Sequence, residues 1–257
     1  MKIHLLDSIP GSGKSTWVMD KFKEWEGDGT YDQFVYVSPL LTEVGGVRLG
    51  NRYGTGRIQD TLPEMNFKYP VPVKGSKREH IKQLVMEGSN ISCTHSLFTS
   101  IDLDTRKLLV DRKNVLVIDE SLEAISHYKG VSRQTVKNML DSGEILVDEK
   151  TGRILWNHSK FPCTLPDGEE DDAFEFREFV ELCDLGYAYL CPVRDKGTNE
   201  VKWSEVLLWQ YPIDTLAAFD DVYVMTYMFS GTVMSAWCKM HDIEVVRLEE
   251  DLYRSTK

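Results

Sequence analysis

Ser8-Ile9-Pro10-Gly11-Ser12-Gly13-Lys14-Ser15 is the stretch on which the reading of this chain turns. It follows the apolar run Ile3–Leu6 and opens a helix-like stretch, Thr16–Trp25, so its context is strand, glycine loop, helix. Glycines at 11 and 13 let the loop turn its backbone N–H groups inward around a di- or triphosphate, and the helix N-terminus adds partial positive charge at the same place. Lys14 supplies a point charge for the outer phosphates, and the Ser15 hydroxyl is placed to ligate an accompanying magnesium ion. Pro10, Gly11, Ser12, Gly13, Lys14, Ser15 and Thr16 are therefore the expected phosphate-binding set. The pattern G-x-x-x-x-G-K-[ST] is met except at its first position, where Ser8 replaces Gly; Ser8 is small enough to keep the turn feasible.

A second run supplies what the first lacks. Val115-Leu116-Val117-Ile118-Asp119-Glu120 puts two carboxylates at the end of an apolar strand. In a phosphate-binding fold this is where magnesium and an attacking water are held. Asp119 is the expected metal ligand alongside Ser15, and Glu120 the residue that orients or deprotonates the water. A glutamate here favours hydrolysis over transfer, because hydrolases activate water and kinases exclude it.

Further short apolar runs, Phe34–Val37 and Asn90–Cys93, are bounded by turn residues or charges and alternate with helix-like segments at Ser15–Glu26, Ser76–Glu87 and Thr94–Ser100. Ser76 and Thr94 stand as N-caps. Buried parallel strands have this signature, which predicts a doubly wound α/β sheet with its ligands at the carboxyl ends of the strands. The pattern changes between residues 126 and 213. A helix at Ser132–Leu140 precedes a β-hairpin, Glu144–Asp148 with Arg153–Trp156, then the acidic loop Pro166–Asp172 and an amphipathic helix around Phe174–Leu185. Two more strand-like runs, Tyr187–Cys191 and Val206–Tyr211, close the segment. We expect an α+β insertion at 126–213 in a core formed by 1–125 and 214–257. The core pattern resumes with a strand at Val222–Met228, a helix at Val233–Met240 and a strand at Glu244–Leu248.

A chain of 257 residues, 42% hydrophobic and 28% charged, can bury a sizeable core and is near the upper size for one domain. No apolar stretch approaches the roughly 20 residues that span a bilayer. The N-terminus reaches Asp7 and the glycine loop too soon for a signal peptide. The expectation is a cytoplasmic protein (host cytoplasm for a viral one) with no membrane partner. Five cysteines, an odd number without C-x-x-C spacing, predict free thiols over a disulfide framework or a metal site. The net charge of −11 argues against a protein that coats nucleic acid indiscriminately, because phosphate neutralisation supplies most non-specific affinity. A local track remains open: Lys68, Lys74, Lys77, Arg78, Lys82, Arg106, Lys107, Arg112 and Lys113 cluster in the first half.

Together these motifs resemble the first motor domain of the DEAD/DEAH-like superfamily 2 helicases and translocases. Residues 8–15 look like the first motif of that group and Asp119-Glu120-Ser121-Leu122 like its D-E-x-x motif. Val35–Leu40 and Ile91–Phe98 are similar to segments that contact the nucleic-acid backbone, here through Ser38, Pro39, Thr94 and His95. Phe229–Met234 resembles the S-A-T motif that couples the nucleotide site to strand binding, carried here by Ser230, Gly231 and Thr232 with Gly at its centre. The resemblance implies a RecA-like P-loop core with ATP and Mg²⁺ as cofactors, Lys14 and Glu120 as catalytic residues, and a nucleic-acid partner, DNA ahead of RNA. It also implies a second motor domain, or a protein partner, that supplies an arginine finger, because the chain stops about where that domain would begin. The tightly spaced motifs have the look of a bacteriophage replication or recombination ATPase. Two other classes stay open on the residues: a P-loop kinase of a nucleoside or small acceptor, with the insertion as its lid, and a nucleotide-dependent protein-interaction module.

Overall fold

The computed structural model describes residues 1–50, 52–72, 76–162, 176–198 and 200–249; Lys74, the acidic loop Pro166–Asp172, the start of the Phe174–Leu185 helix and Glu250-Asp251 lie outside them. The chain divides into two units, Met1–Leu122 with Ile213–Lys257, and Glu123–Pro212.

In the first unit β1 (Lys2–Asp7) runs through the glycine loop into α1 (Lys14–Gly27), followed by β2 (Gln33–Ser38). Two short helices, α2 (Leu41–Val44) and α3 (Arg57–Thr61), flank a small hairpin of β3 (Arg48–Leu49) and β4 (Arg52–Tyr53). Then come α4 (Lys77–Glu87), β5 (Ile91–Thr94), α5 (His95–Phe98), α6 (Leu103–Leu109) and β6 (Asn114–Asp119). The second unit holds β7 (Ile125–His127), α7 (Arg133–Ser142), the hairpin β8 (Ile145–Val147) and β9 (Ile154–Trp156), α8 (Arg177–Asp184), β10 (Ala188–Arg194) and β11 (Val201–Gln210). The first unit resumes with α9 (Ile213–Ala217), β12 (Asp221–Thr226), α10 (Val233–Met240) and β13 (Glu244–Arg247).

The first unit is a mixed α/β fold around a six-stranded sheet in the order β13-β1-β12-β6-β2-β5, with every neighbouring pair parallel. A parallel sheet is covered on both faces, so its strands carry apolar side chains at successive positions. Leu6, Phe34, Tyr36, Val115, Val117 and Met225 form one buried face, packed with Val18, Met19, Phe22 and Trp25 from α1. Those helix residues recur at the three-to-four-residue spacing that makes one stripe. Phe22 lies at the centre, its ring 5.5 Å from that of Phe34 and 6.3 Å from that of Tyr36. Ile3, Leu5, Val35, Val37, Leu116, Ile118, Val222 and Val224 fill the alternate positions and are also buried.

The expected strand Val222–Met228 ends at Thr226, and Tyr227 and Met228 are exposed beyond it. In the second unit β10, β11 and β7 form an antiparallel sheet that, with the β8–β9 hairpin, α7 and α8, surrounds a core including Val136, Ile154, Phe179, Leu190 and Leu207. The β10–β11 ladder runs further than expected, through Pro192, Val193 and Arg194 against Trp203, Lys202 and Val201, because its far end is an exposed ribbon that burial patterning does not mark. Among the described residues, no helix is long and apolar enough to cross a membrane.

Candidate phosphate-binding loop and carboxylate pair

In a parallel sheet all strands end on one rim, and the register brings the motif residues of the first unit together there. Asp7 pairs with Thr226 and Asp119 with Met225, while Ser38 pairs with Thr94. The glycine loop leaves β1 at this rim. Its first residue, Ser8, donates its N–H to the Thr226 carbonyl at 2.9 Å.

Gly11 (φ 76°) and Gly13 (φ 94°) both take left-handed backbone conformations, which allow the loop to close on α1. Gly13 is the N-cap of α1, with no side-chain cap and no acidic residue in the first turn. The Trp17 N–H to the Gly13 carbonyl is the first bond of the helix, so the N–H groups of Lys14, Ser15 and Thr16 have no acceptor within it. The Lys14 ammonium, on a buried side chain, donates to the carbonyls of Ser8 (2.7 Å) and Ile9 (3.1 Å). Ser12 Oγ is buried without a hydrogen-bond partner. A Cβ built on Gly11 meets open space. Uncapped N–H groups, an ammonium at the loop and an unpaired buried hydroxyl form a donor set that suits a polyphosphate.

Across the rim, Asp119 ends β6 with both its donors on one oxygen: Ser38 Oγ at 3.0 Å and Tyr36 OH at 3.4 Å reach Oδ2. Among the described residues Oδ1 takes no protein donor. Burial, with the charges of Glu120 and Glu43 nearby, raises the Asp119 carboxyl above its ordinary value, against the lowering effect of Ser38 and Tyr36. Burial and the Asp119 and Glu43 charges likewise hold the Tyr36 phenol well above its ordinary value, so it remains a donor. Glu120 follows with φ 65°, a left-handed conformation that costs a residue with a side chain of order 1–3 kcal/mol. Two bonds to β12 hold it there: its N–H donates to the Met225 carbonyl at 2.7 Å, and Thr226 Oγ1 donates to its carboxylate at 3.2 Å.

Of the residues expected to face a polymer, Ser38 and His95 are bonded to Asp119, Ser38 to its carboxylate and His95 to its backbone carbonyl. Ser38 is fully buried, its hydroxyl committed to Asp119. His95 is half-buried; its ring Nε2–H donates to the Asp119 carbonyl at 2.8 Å, and burial holds the ring below its ordinary pKa. Thr94 caps α5 through the Leu97 N–H, and Pro39 lies exposed beside it in the rim. Of the segment Ser230-Gly231-Thr232, Thr232 caps α10 by accepting from the Ser235 N–H. Ser230 accepts from Arg247, which also donates to Asp7 at 2.8 Å, and Asp7 takes the Phe229 N–H as well. This segment is therefore tied to the residue that precedes the glycine loop. Thr226, Tyr36, Asp7 and Arg247 were not singled out from sequence. The signal for Thr226 is a polar residue closing an otherwise apolar strand, Val222–Met225.

Among the described residues no group of three or more His, Cys, Asp or Glu could hold a metal ion. That does not disfavour magnesium, which binds through one or two carboxylates, waters and substrate phosphates rather than an all-protein cage.

No family model matches the sequence, and no solved structure matches it. The chain is similar to the SPbeta prophage-derived uncharacterized protein YonV of Bacillus subtilis (strain 168), with 25% identity over 248 residues. The alignment takes in 95% of this chain and 53% of that protein. The chain thus spans about half the length of the relative it matches.

Proposed function

We propose that the first unit is a RecA-like P-loop NTPase core that binds and hydrolyses ATP with Mg²⁺ and drives movement on, or remodelling of, DNA or RNA. The observation that carries this reading is Glu120, kept in a left-handed backbone by β12 and set beside a half-buried aspartate, one of whose oxygens takes no protein donor among the described residues. Strain at a polar residue on a ligand-binding rim is characteristic of catalytic positions.

The sheet order supports hydrolysis. β12 separates the glycine-loop strand from the carboxylate strand, and two inter-strand steps amount to about 10 Å, room for a phosphate chain and a water between the two elements. Residues 10–16 and the Lys14 ammonium would hold the phosphates, and Ser15 with Asp119 the magnesium. When bound, the ion supplies Lewis-acid polarisation of the phosphoryl oxygens. Glu120 orients the attacking water and accepts its proton, and Thr226 fixes the carboxylate for that task. Ser230, through Arg247 and Asp7, gives the coupling segment a mechanical connection to the loop. An arginine finger, from another domain or a partner, would raise turnover by several orders of magnitude. The prophage relative fits a bacteriophage setting for such an enzyme.

The test is phosphate release by purified protein with ATP and Mg²⁺, alone and with single- and double-stranded DNA and RNA. Lys14→Ala should lose turnover, and Glu120→Gln should retain ATP while losing hydrolysis. Stimulation by one polymer identifies the track. Equal hydrolysis by Glu120→Gln and the unmodified protein would refute the role of Glu120, and absence of ATP binding would refute the reading as a whole.

A further inference from the structure

The segment joining α2 to α3 is chemically unlike the rest of the chain. Residues 45–57 carry Arg48, Arg52, Arg57 and Tyr53, five glycines and no acidic residue, in a protein of net charge −11. The hairpin at its centre is built on close backbone packing. Gly46 N–H donates to the Gly54 carbonyl and Gly54 N–H to the Val47 carbonyl. A Cβ on Gly46 would run into the ring of Tyr69, and one on Gly56 into the backbone of residues 43–45. Glycine thus roots the hairpin while its side chains stay outside. Arg48 and Tyr53 are cross-strand partners and share one face; Leu49 and Arg52 share the other. All four are exposed, Leu49 by 63% and Tyr53 by 41%.

A cation lies against the exposed ring. Lys77, from the start of α4, holds its ammonium 5.9 Å from the centre of the Tyr53 ring while donating to the Tyr69 hydroxyl at 2.9 Å. Arg57 turns back to Glu43 at 3.7 Å, whereas among the described residues Arg48 and Arg52 take no carboxylate. Glu43 is one of the charges that raise Asp119, so the root of the hairpin bears electrostatically on the carboxylate pair.

We propose that this hairpin grips a single strand of nucleic acid that passes around it, with Arg48 from one face and Arg52 from the other on its phosphates, and with Tyr53, beside Lys77 on the Arg48 face, stacked on a base. The inference rests on the reading of the chain as a nucleic-acid motor and names the surface that holds the polymer. Guanidinium groups match phosphate oxygens in planar, paired hydrogen bonds, and an exposed ring beside a cation and an arginine on the same face suits a strand that presents bases and phosphates alternately. The side chains of an acidic peptide would engage the arginines but offer no aromatic face to Tyr53. The contacts carry no base code, as a translocating grip requires.

Binding of labelled oligothymidylate and oligouridylate, followed by fluorescence anisotropy without nucleotide across a salt series, tests the proposal independently of hydrolysis. Arg48→Ala/Arg52→Ala should weaken binding and reduce the slope of log K against log salt by about 1.4, two phosphate contacts on a single strand. Arg48→Gln/Arg52→Gln serves as a second variant if the first is poorly folded. Tyr53→Ala should weaken binding about 5- to 150-fold, and Tyr53→Phe should restore it, because stacking needs the ring and not the hydroxyl. Lys196→Ala/Lys202→Ala removes equal charge from the second unit and should leave the slope unchanged. If the protein binds oligonucleotide and the Arg48/Arg52 variants keep its affinity and slope, the hairpin is not the grip, and the motor reading stands on other contacts. If polyglutamate binds as tightly and depends on the same arginines, the surface is one for acidic peptides and the proposal falls. If the unmodified protein binds neither oligonucleotide, the nucleic-acid part of the functional reading fails, and the hairpin proposal with it.

Discussion

Replacing Asp119 by Asn should make the protein more stable and inactive at once. In the native structure the carboxylate is raised first by burial and then by the charges of Glu120 and Glu43. Both protein donors, Ser38 and Tyr36, reach Oδ2. An asparagine with its carbonyl oxygen at that position keeps both bonds, and its amide occupies the position of Oδ1 without charge. The substitution therefore removes a destabilising charge and sacrifices no internal bond. Gains of this kind are about 0.5–2 kcal/mol, which for a unit of this size is a rise in Tm of about 1–8 °C. The pH dependence follows from the direction of the shift. A carboxyl whose folded pKa lies above its unfolded value binds its proton more tightly when native, so its penalty is full at neutral pH and is relieved as pH falls through the folded pKa. The advantage of Asp119→Asn should accordingly be largest near pH 8 and close on acidification, where aspartic acid is itself neutral. Thermal melts in EDTA from pH 8 to acid measure this, and phosphate release at pH 8 measures the accompanying loss of Mg²⁺-dependent turnover. A lower Tm for Asp119→Asn at pH 8, or an advantage that does not narrow in acid, would refute the electrostatic account of the site.

Thr226→Val is close to isosteric and removes the donor to the Glu120 carboxylate. A hydrogen bond to a charged group contributes about 1.5–3 kcal/mol, so kcat should fall about 10- to 150-fold with ATP affinity retained; unchanged turnover would show that Glu120 needs no such support. Ser12→Ala deletes a buried hydroxyl that has no partner, so the nucleotide-free protein should melt at the same temperature or higher, up to about 3 kcal/mol more stable, while ATP binds more weakly by calorimetry. In a Cys163→Ser background, a disulfide reagent at pH 8 should label Cys191 rapidly and the other thiols only on unfolding. Burial pushes Cys93 up to about 12 and Cys238 up to about 11, and Cys183 is buried with them, whereas Cys191 is only half-buried. Rapid native labelling of more than one thiol would contradict the packing around them.

Much of the sheet was legible because its strands are short apolar runs bounded by charge or glycine. The expected strand Phe34–Val37 lies inside Gln33–Ser38, Val115–Ile118 inside Asn114–Asp119, and the helix Val233–Met240 has its expected ends. Where apolar residues continue past a strand the reading overshoots: Tyr227 and Met228 follow β12, but Met228 takes φ 56° and its side chain is exposed. The segment from Leu41 to Met65 gave no periodic signal, since its elements are two to five residues long and its shape comes from glycines in close backbone contact. The seven-residue α6 and the three-residue β7 were missed as well.

The rim of the site shows a different limit. Sequence identifies Asp119, Glu120 and the glycine loop, because each motif is local. It does not say which strand lies between them, since that depends on a pairing of residues more than a hundred positions apart, Met225 with Asp119. With β12 in that position, Thr226 meets Glu120, the Ser8 N–H meets the Thr226 carbonyl, and Asp7 meets the segment that begins at Phe229. The same topology explains the bonds that Ser38 and His95 make. Ser38 ends β2 beside β6, where its hydroxyl reaches the Asp119 carboxylate, and His95 follows β5, where its ring N–H reaches the Asp119 backbone carbonyl. An uncompensated acceptor at the end of a buried strand draws in the nearest donors. The exposed arginines of the β3–β4 hairpin take no part in these bonds, and the proposed polymer contact rests on them.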